Sequence, residues 1–423
     1  MTSKTDGNEG LNRNQGFILE QKQKVRTVHP GVHVIGAIGN AFALETEEGF
    51  IQVDTGANAR MARGILENLR TISDAPVYAI VYSHGHNGYN QGTGAFLEAA
   101  QERGEPRPRI IAHENLPKRY RRYEETAPLQ QYLNSLQFRL PTNRPLVRPT
   151  YFYPDVTFSD LLSLHLGTRT VELLWAPSET DDSIAVWLPE EQVLYGGPAV
   201  ITACINVGTP LRTLRDAVRW AETLDKMIAL RPEVLIPSYG PTVKCADEIQ
   251  KMLGNMAAGL RYLRREVVKR MNRHMTDVQI IHDITYPPEY FEQPWSAPVY
   301  GCPEMIVRDI YRSENGWWDR NPTNLHPAEP DEAAKAVLAA IGDKKLVLEK
   351  ARAHRDAGEV QLALHVIDLL ALAPGEDEEV LEAKKLKAEL LHLRSKDVPS
   401  IVSTNLYLSE ADRLDAETGK PQE

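Results

Sequence analysis

The sequence predicts an α/β domain of layered sheets that ends near residue 243, followed by a helical region. Three observations carry this. Short β-rich runs alternate with amphipathic helices up to "EVLIPSYGP", a mixture of meander and alternation that suits stacked sheets covered by helices. From Glu248 onward the pattern turns helical. At 423 residues the chain is also too long for one ordinary core, so two or three domains are expected.

After a polar opening rich in Asn, Gln, Lys and Gly, the runs Val32 to Ile35, Ala41 to Glu45 and Phe50 to Val53 read as successive antiparallel strands. "NARMARGILENLRTIS" predicts an amphipathic helix, "PVYAIVYSH" a buried strand and "NQGTGAFLEAAQER" another helix. "PRIIAHENL", "TRTVELLWAP" and "SIAVWLPEEQVLYGG" predict strands, "LRTLRDAVRWAETLDKMIAL" a helix and "EVLIPSYGP" a last strand. A long helix is expected from Glu248 to about Met275, then a loop rich in proline and aromatic residues. Beyond Pro330 come short helices that end in "AG" or "AP" and restart on acidic residues, like a small helical-hairpin module.

Composition excludes several classes. A hydrophobic share of 42% and a charged share of 25% describe a globular protein. A net charge of −10 argues against nucleic acid as partner. Cys204, Cys245 and Cys302 have no CxxC spacing, which disfavours a disulfide framework and a thiolate zinc site. No apolar run approaches the roughly 20 residues of a membrane span, and the N-terminus lacks the apolar stretch of a signal peptide, so a cytoplasmic location without membrane partners is expected.

The chemistry-bearing stretch is "AIVYSHGHNGYNQGTG", residues 79 to 94. Two histidines at spacing two follow an apolar run, as metal ligands at a strand end do, but Gly88 and Tyr89 cannot continue a ligand set. "VDTGA", "SHGHNGYNQG", "SETDDSIAVWLPEEQVLYGG" and "IPSYGP", in this order, resemble the successive motifs of the metallo-β-lactamase fold. "VRDIYRSENGWWDRNPTNLHP" and "AHRDAGEVQLALHVIDLLALAPGEDEE" resemble the helical dimerisation region of the alkyl sulfatases in that superfamily, and together the matches run from about residue 28 to 412. The resemblance implies a metallo-β-lactamase αββα sandwich followed by an all-α dimerisation domain. The expected bounds are a flexible arm over 1–25, the sandwich over 26–243, the dimerisation domain over 244–412 and a tail over 413–423.

It also implies a ligand set. In the superfamily's first motif, His-x-His-x-Asp-His, the first two histidines hold one metal and the last two residues a second. Here His84 and His86 stand, while Gly88 and Tyr89 replace the Asp and the last His. Glu179 matches the glutamate by which alkyl sulfatases complete the first site. Pro198 falls on the bridging carboxylate and Tyr239 on the final ligand of the second metal. One site is whole and the other is replaced throughout.

Two histidines and a glutamate suffice for one divalent metal per chain with a position left open for water, zinc being preferred to iron. Tyr89, Tyr239 and Asp181 are the candidate catalytic residues, the phenols as donors to an anion and Asp181 as a base or a partner of a ligand histidine. His113, Arg212 and Arg308 are the candidate substrate-binding residues. Arg215 is read as pairing with Asp216 or a neighbour on its helix. The reading is a metal-dependent hydrolase of the alkyl sulfatase type acting as a homodimer on a small, partly apolar ester. Its alternatives are a mononuclear iron enzyme with the same two-histidine, one-carboxylate set and a non-catalytic homodimeric binding relative.

Overall fold

The computed structural model describes residues 24–375 and 377–419; the expected arm over 1–25 falls almost wholly outside them. Within them the chain divides into two compact units, one of residues 24–130 and 145–314, the other of residues 131–144, 315–375 and 377–419.

The larger unit is a two-sheet sandwich. Strands β1 (Val25–His29), β2 (Val32–Ala37), β3 (Gly39–Thr46) and β4 (Gly49–Val53) form the expected antiparallel meander. It continues through the parallel strands β5 (Val77–Val81), β6 (Arg109–His113) and β7 (Val156–Phe158) into a seven-stranded sheet. The second sheet has the order β12-β11-β10-β9-β8, from β8 (Leu161–Leu166), β9 (Arg169–Trp175), β10 (Ile184–Leu188), β11 (Val193–Tyr195) and β12 (Val234–Ile236). Apolar side chains of both sheets, such as Val34, Phe42 and Ile51 opposite Leu173, Val186 and Ile236, form the layer between them.

Helices cover both outer faces. α1 (Ala59–Arg70), α2 (Thr93–Glu102) and α3 (Leu116–Glu125) lie on the first sheet around Ile65, Phe96 and Tyr120. α5 (Ala217–Ala229) and the long α6 (Ala246–Met271) cover the second around Trp220, Leu253 and Leu260. This is the αββα order. The boundary expected after residue 243 falls inside this unit, because the apolar stripe of α6 shares one core with α5. The expected loop after α6 contains α7 (Asp277–Asp283), α8 (Pro288–Phe291) and α9 (Pro303–Asn315). Of these, α9 buries Ile306, Val307 and Ile310.

The smaller unit is helical. α10 (Pro330–Ala340), α11 (Lys344–Asp356), α12 (Val360–Ala371), α13 (Glu378–Asp397) and α14 (Ile401–Glu417) surround a core that includes Leu348, Ile367, Leu390 and Leu414. The C-terminal end of α4 (Ala127–Phe138) belongs to it, where the Asn405 amide donates to the Gln137 carbonyl at 2.9 Å and Arg139 pairs with Asp412. α14 runs through much of the tail expected over 413–423, and residues 420–423 lie outside the described ones. Among the described residues no helix is long and apolar enough to cross a membrane.

Candidate metal centre

The carboxyl ends of β4, β5, β9 and β12 each deliver one piece of a polar cluster: Asp54, the Ser83–His86 turn, the 176–183 loop and Tyr239. His84, His86 and Glu179 come together, with one potential ligand atom from each lying within 4.8 Å of the others. His84 is fully buried, and His86 and Glu179 are partly buried. The expected set is therefore brought to one place by residues almost 100 positions apart.

The surroundings decide the state of each group. Asp54 accepts from the Ser83 amide at 2.8 Å and the Ser83 hydroxyl at 2.5 Å, and that hydroxyl lies 2.9 Å from His84 Nδ1. With the hydroxyl proton given to Asp54, Ser83 Oγ accepts from His84 Nδ1–H, which leaves the Nε2 lone pair to face the cluster. That Nε2 is buried and has no hydrogen-bond partner. Burial pushes the His84 pKa down to about 4 and that of His86 well below its usual value, so both imidazoles are neutral, as ligands must be. An orphaned, neutral, buried nitrogen beside a carboxylate fits a metal ion.

Glu179 is the charged member. Burial works to raise its pKa, but the Arg215 guanidinium at 3.0 Å, then His84 and the Asn206 amide at 2.9 Å, hold it below the usual carboxylate range. The expected pairing of Arg215 with Asp216 is thus corrected. Asp216 caps α5 through the amides of Val218 and Arg219, while buried Arg215 turns inward to Glu179 and the Asn206 carbonyl, its own amide donating to Asp309. A buried carboxylate needs a buried counter-charge, and the adjacent cap needs Asp216 for itself.

The turn between the two histidines is built around Gly85. Its amide donates to Asp182 at 2.7 Å, and a β-carbon there would stand 2.9 Å from Arg119 Cδ and 3.0 Å from the Asp182 carboxylate. Asp182 is fully buried, and Arg119 Nε donates to it at 2.5 Å. Arg119 also binds Asp181, the candidate base, whose half-exposed carboxylate has no contact with the ligand cluster. The carboxylate that supports the histidine turn is its neighbour.

The replaced site is a different environment. Gly88 has φ +107°, a conformation L-residues rarely adopt, and a β-carbon there would meet Ile38 at 3.1 Å. Pro198 is buried in a short 3₁₀ turn. The Tyr89 and Tyr239 hydroxyls are 2.5 Å apart, and the Tyr89 ring packs edge-on against His84 with centroids 4.3 Å apart. Burial pushes both phenols above their usual pKa, so they stay protonated and act as donors.

Of the expected substrate contacts, Arg212 lies in this neighbourhood. It is largely buried, its pKa lowered first by that burial, and it couples electrostatically to Tyr300, Tyr123, Arg215 and Glu179. It follows Leu211, a non-glycine residue at φ +68°, and Asp54 at φ +60° is a second such position; strain of this kind gathers at functional sites. His113 is otherwise engaged. Its Nε2 meets the Ser159 carbonyl at 2.8 Å, its Nδ1 accepts from the Asn115 amide, and its ring stacks on Trp175. Arg308 is half-exposed and paired with Asp277 at 2.5 Å. Asp54, Ser83, Arg119, Asn206 and Arg215 are site residues that motif reading passed over. "VDTGA" and "SHGH" hold the first two in plain view, whereas Arg119 sits on a helix that carries no motif and reads only as an amphipathic element packing Leu116, Tyr120 and Tyr123 inward.

The comparisons bear on the family and the fold. The family model for the metallo-beta-lactamase superfamily matches residues 34–239, and that for alkyl sulfatase dimerisation matches residues 276–417. A linear primary-alkylsulfatase of Pseudomonas sp. is 28% identical over 394 residues, covering 88% of this chain and 73% of that protein. An (R)-specific secondary-alkylsulfatase of Pseudomonas sp. is 25% identical, covering 89% of this chain and 60% of the relative. Among solved structures, the stereoselective inverting sec-alkylsulfatase Pisa1 of Pseudomonas sp. superposes over 100% of this chain and 69% of its own, with a TM-score of 0.84 at 21% identity, which shows the shared fold.

Proposed function

This chain belongs to the metallo-β-lactamase superfamily as an alkyl sulfatase-like protein with the dimerisation region, and on that premise we propose that it is a mononuclear metal-dependent hydrolase. His84, His86 and Glu179 would hold one divalent ion, zinc ahead of iron, and the observation that carries this is the buried, partnerless Nε2 of His84 beside an ionised Glu179. The chemistry such an ion supplies when bound is Lewis acidity, enough to bring the pKa of a water to about 7.

The chain's own groups do the rest. Arg215 and Asn206 fix the Glu179 carboxylate, and Ser83 with Asp54 fixes the tautomer of His84. The Tyr89–Tyr239 pair shares one proton between its two oxygens, leaving the second for an anionic or leaving oxygen of the ester. Arg212 supplies positive charge where a second metal is lacking. The substrate proposed is a small, partly apolar ester. Homodimerisation through the 276–417 region is part of the same reading; it is supported by exposed Leu362, Leu369 and Leu372 on and after α12.

The test is hydrolysis of alkyl sulfates and carboxylic esters by zinc-loaded and iron-loaded protein, with and without oxygen. Zinc-dependent turnover that continues anaerobically is expected. Turnover that needs iron and oxygen would replace this reading by the iron-enzyme one, to which the same donor set also conforms.

A further inference from the structure

The proposed chemistry leaves one feature of the larger unit unused: a cavity of about 400 Å³ between α3, the 178–181 loop and the segment entering α5. Glu179 lines it but neither histidine does. Its walls carry Lys118, Arg119, Arg122, Arg215 and Arg219 against the carboxylates of Glu179 and Asp181. That is a local excess of positive charge in a chain whose net charge is −10.

Two of the five cations are committed, Arg119 to Asp181 and Asp182 and Arg215 to Glu179. The other three are not. Lys118 reaches the Asn115 amide oxygen at 3.2 Å, and the Arg122 guanidinium lies over the Tyr123 ring at 5.1 Å with its Nε buried and unpartnered. Among the described residues no carboxylate stands within ion-pair distance of Lys118, Arg122 or Arg219. Like charges gathered round a cavity, two of them on the half-buried Arg122 and Arg219 and one on the exposed Lys118, raise each other's cost, and an anion in the cavity removes it.

We propose that this cavity binds a small oxyanion, and that the substrate carries such a group in addition to its scissile ester. Two arginine forks and an ammonium match the in-plane oxygens of a carboxylate or the faces of a sulfate or phosphate. Because Glu179 borders both the cavity and the ligand cluster, an oxyanion held here lies next to the metal centre. The statement about the substrate rests on the hydrolase reading; the statement about the cavity does not.

Calorimetric titration of chelator-treated protein with sulfate, inorganic phosphate and succinate separates the two and distinguishes the possible oxyanions. Saturable binding of at least one, weakening with added salt, is expected. Arg122→Gln and Arg219→Gln should each weaken it about tenfold while the metal content of reloaded protein stays unchanged. No saturable binding at low ionic strength, or equal affinity in wild type and both variants, overturns the cavity site. If either variant fails to fold, Lys118→Gln on the exposed flank gives the same decision. With short alkyl esters, a terminal carboxylate should lower KM in the wild type and not in Arg219→Gln. An equal KM with and without the carboxylate removes the substrate assignment, whereas absence of all turnover removes the hydrolase reading and leaves the titration to decide the cavity.

Discussion

The cluster of His84, His86 and Glu179 and the Tyr89–Tyr239 pair are opposite environments within a few ångströms of one another. On one side His84, His86 and Glu179 keep their donor atoms together, supported by Ser83, Asp54, Asn206, Arg215 and Asp182. On the other, Gly88, Tyr89, Pro198 and Tyr239 offer no metal ligand set, and the two phenols close on each other. The difference lies in charge: the first side holds an ionised carboxylate with a buried counter-ion at 3.0 Å from Glu179, and the second holds two neutral phenols.

The strongest way to break the contrast is to strip the retained side of its support. Arg215→Met leaves Glu179 buried without its counter-charge, and a loss of about 3 kcal/mol in urea unfolding of the metal-free protein is expected. Added zinc should stabilise the variant more than the wild type. Equal zinc effects would mean that Arg215 supports the fold and not the ligand.

The next effect is one of pH. Lowered to about 4, the folded-state pKa of His84 gives stability that is present above the unfolded value near 6.5 and lost as pH falls toward 4. Asp54, raised by burial from 3.8 to about 7, contributes stability present below 3.8 and lost as pH rises through 7. The two oppose each other. Asp54→Asn removes the second, so the stability of the chelated variant should rise more steeply than the wild type between pH 4 and pH 7. Parallel profiles would show that Asp54 does not change its charge on folding as proposed.

On the replaced side, Tyr89→Phe and Tyr239→Phe should each lower kcat about a hundredfold, the scale of one lost donor to a developing charge, with metal content unchanged. Unchanged kcat in both would make the pair a plug. The smallest effect is expected from trying to restore what is missing. Gly88→Asp with Tyr89→His should still bind one metal per chain, since Gly88 is at φ +107° and Pro198 cannot bridge. Two metals in that variant would show that the second site is closed by chemistry and not by backbone.

Much of this contrast is legible in the sequence. "SHGHNGY" shows two ligands followed by two replacements, and the antiparallel meander and α/β alternation follow from period and punctuation. What is not legible is the support. Arg215 beside Asp216 reads as a local pair on a helix face, and only the fold shows Asp216 serving as the cap while Arg215 points inward. Asp181 and Asp182 are adjacent and alike in sequence, yet one is half-exposed and the other wholly buried against Gly85. The end of the sandwich unit is hidden for a similar reason: α6 begins where the composition changes, but its apolar stripe belongs to the core that α5 already covers.

The most direct test is metal analysis of protein purified without added metal, beside His84→Ala. Close to one divalent ion per wild-type chain, falling to none in His84→Ala together with a loss of turnover of at least about a thousandfold, is the predicted result. Two ions per wild-type chain, none at all, or full metal content in His84→Ala would contradict the account.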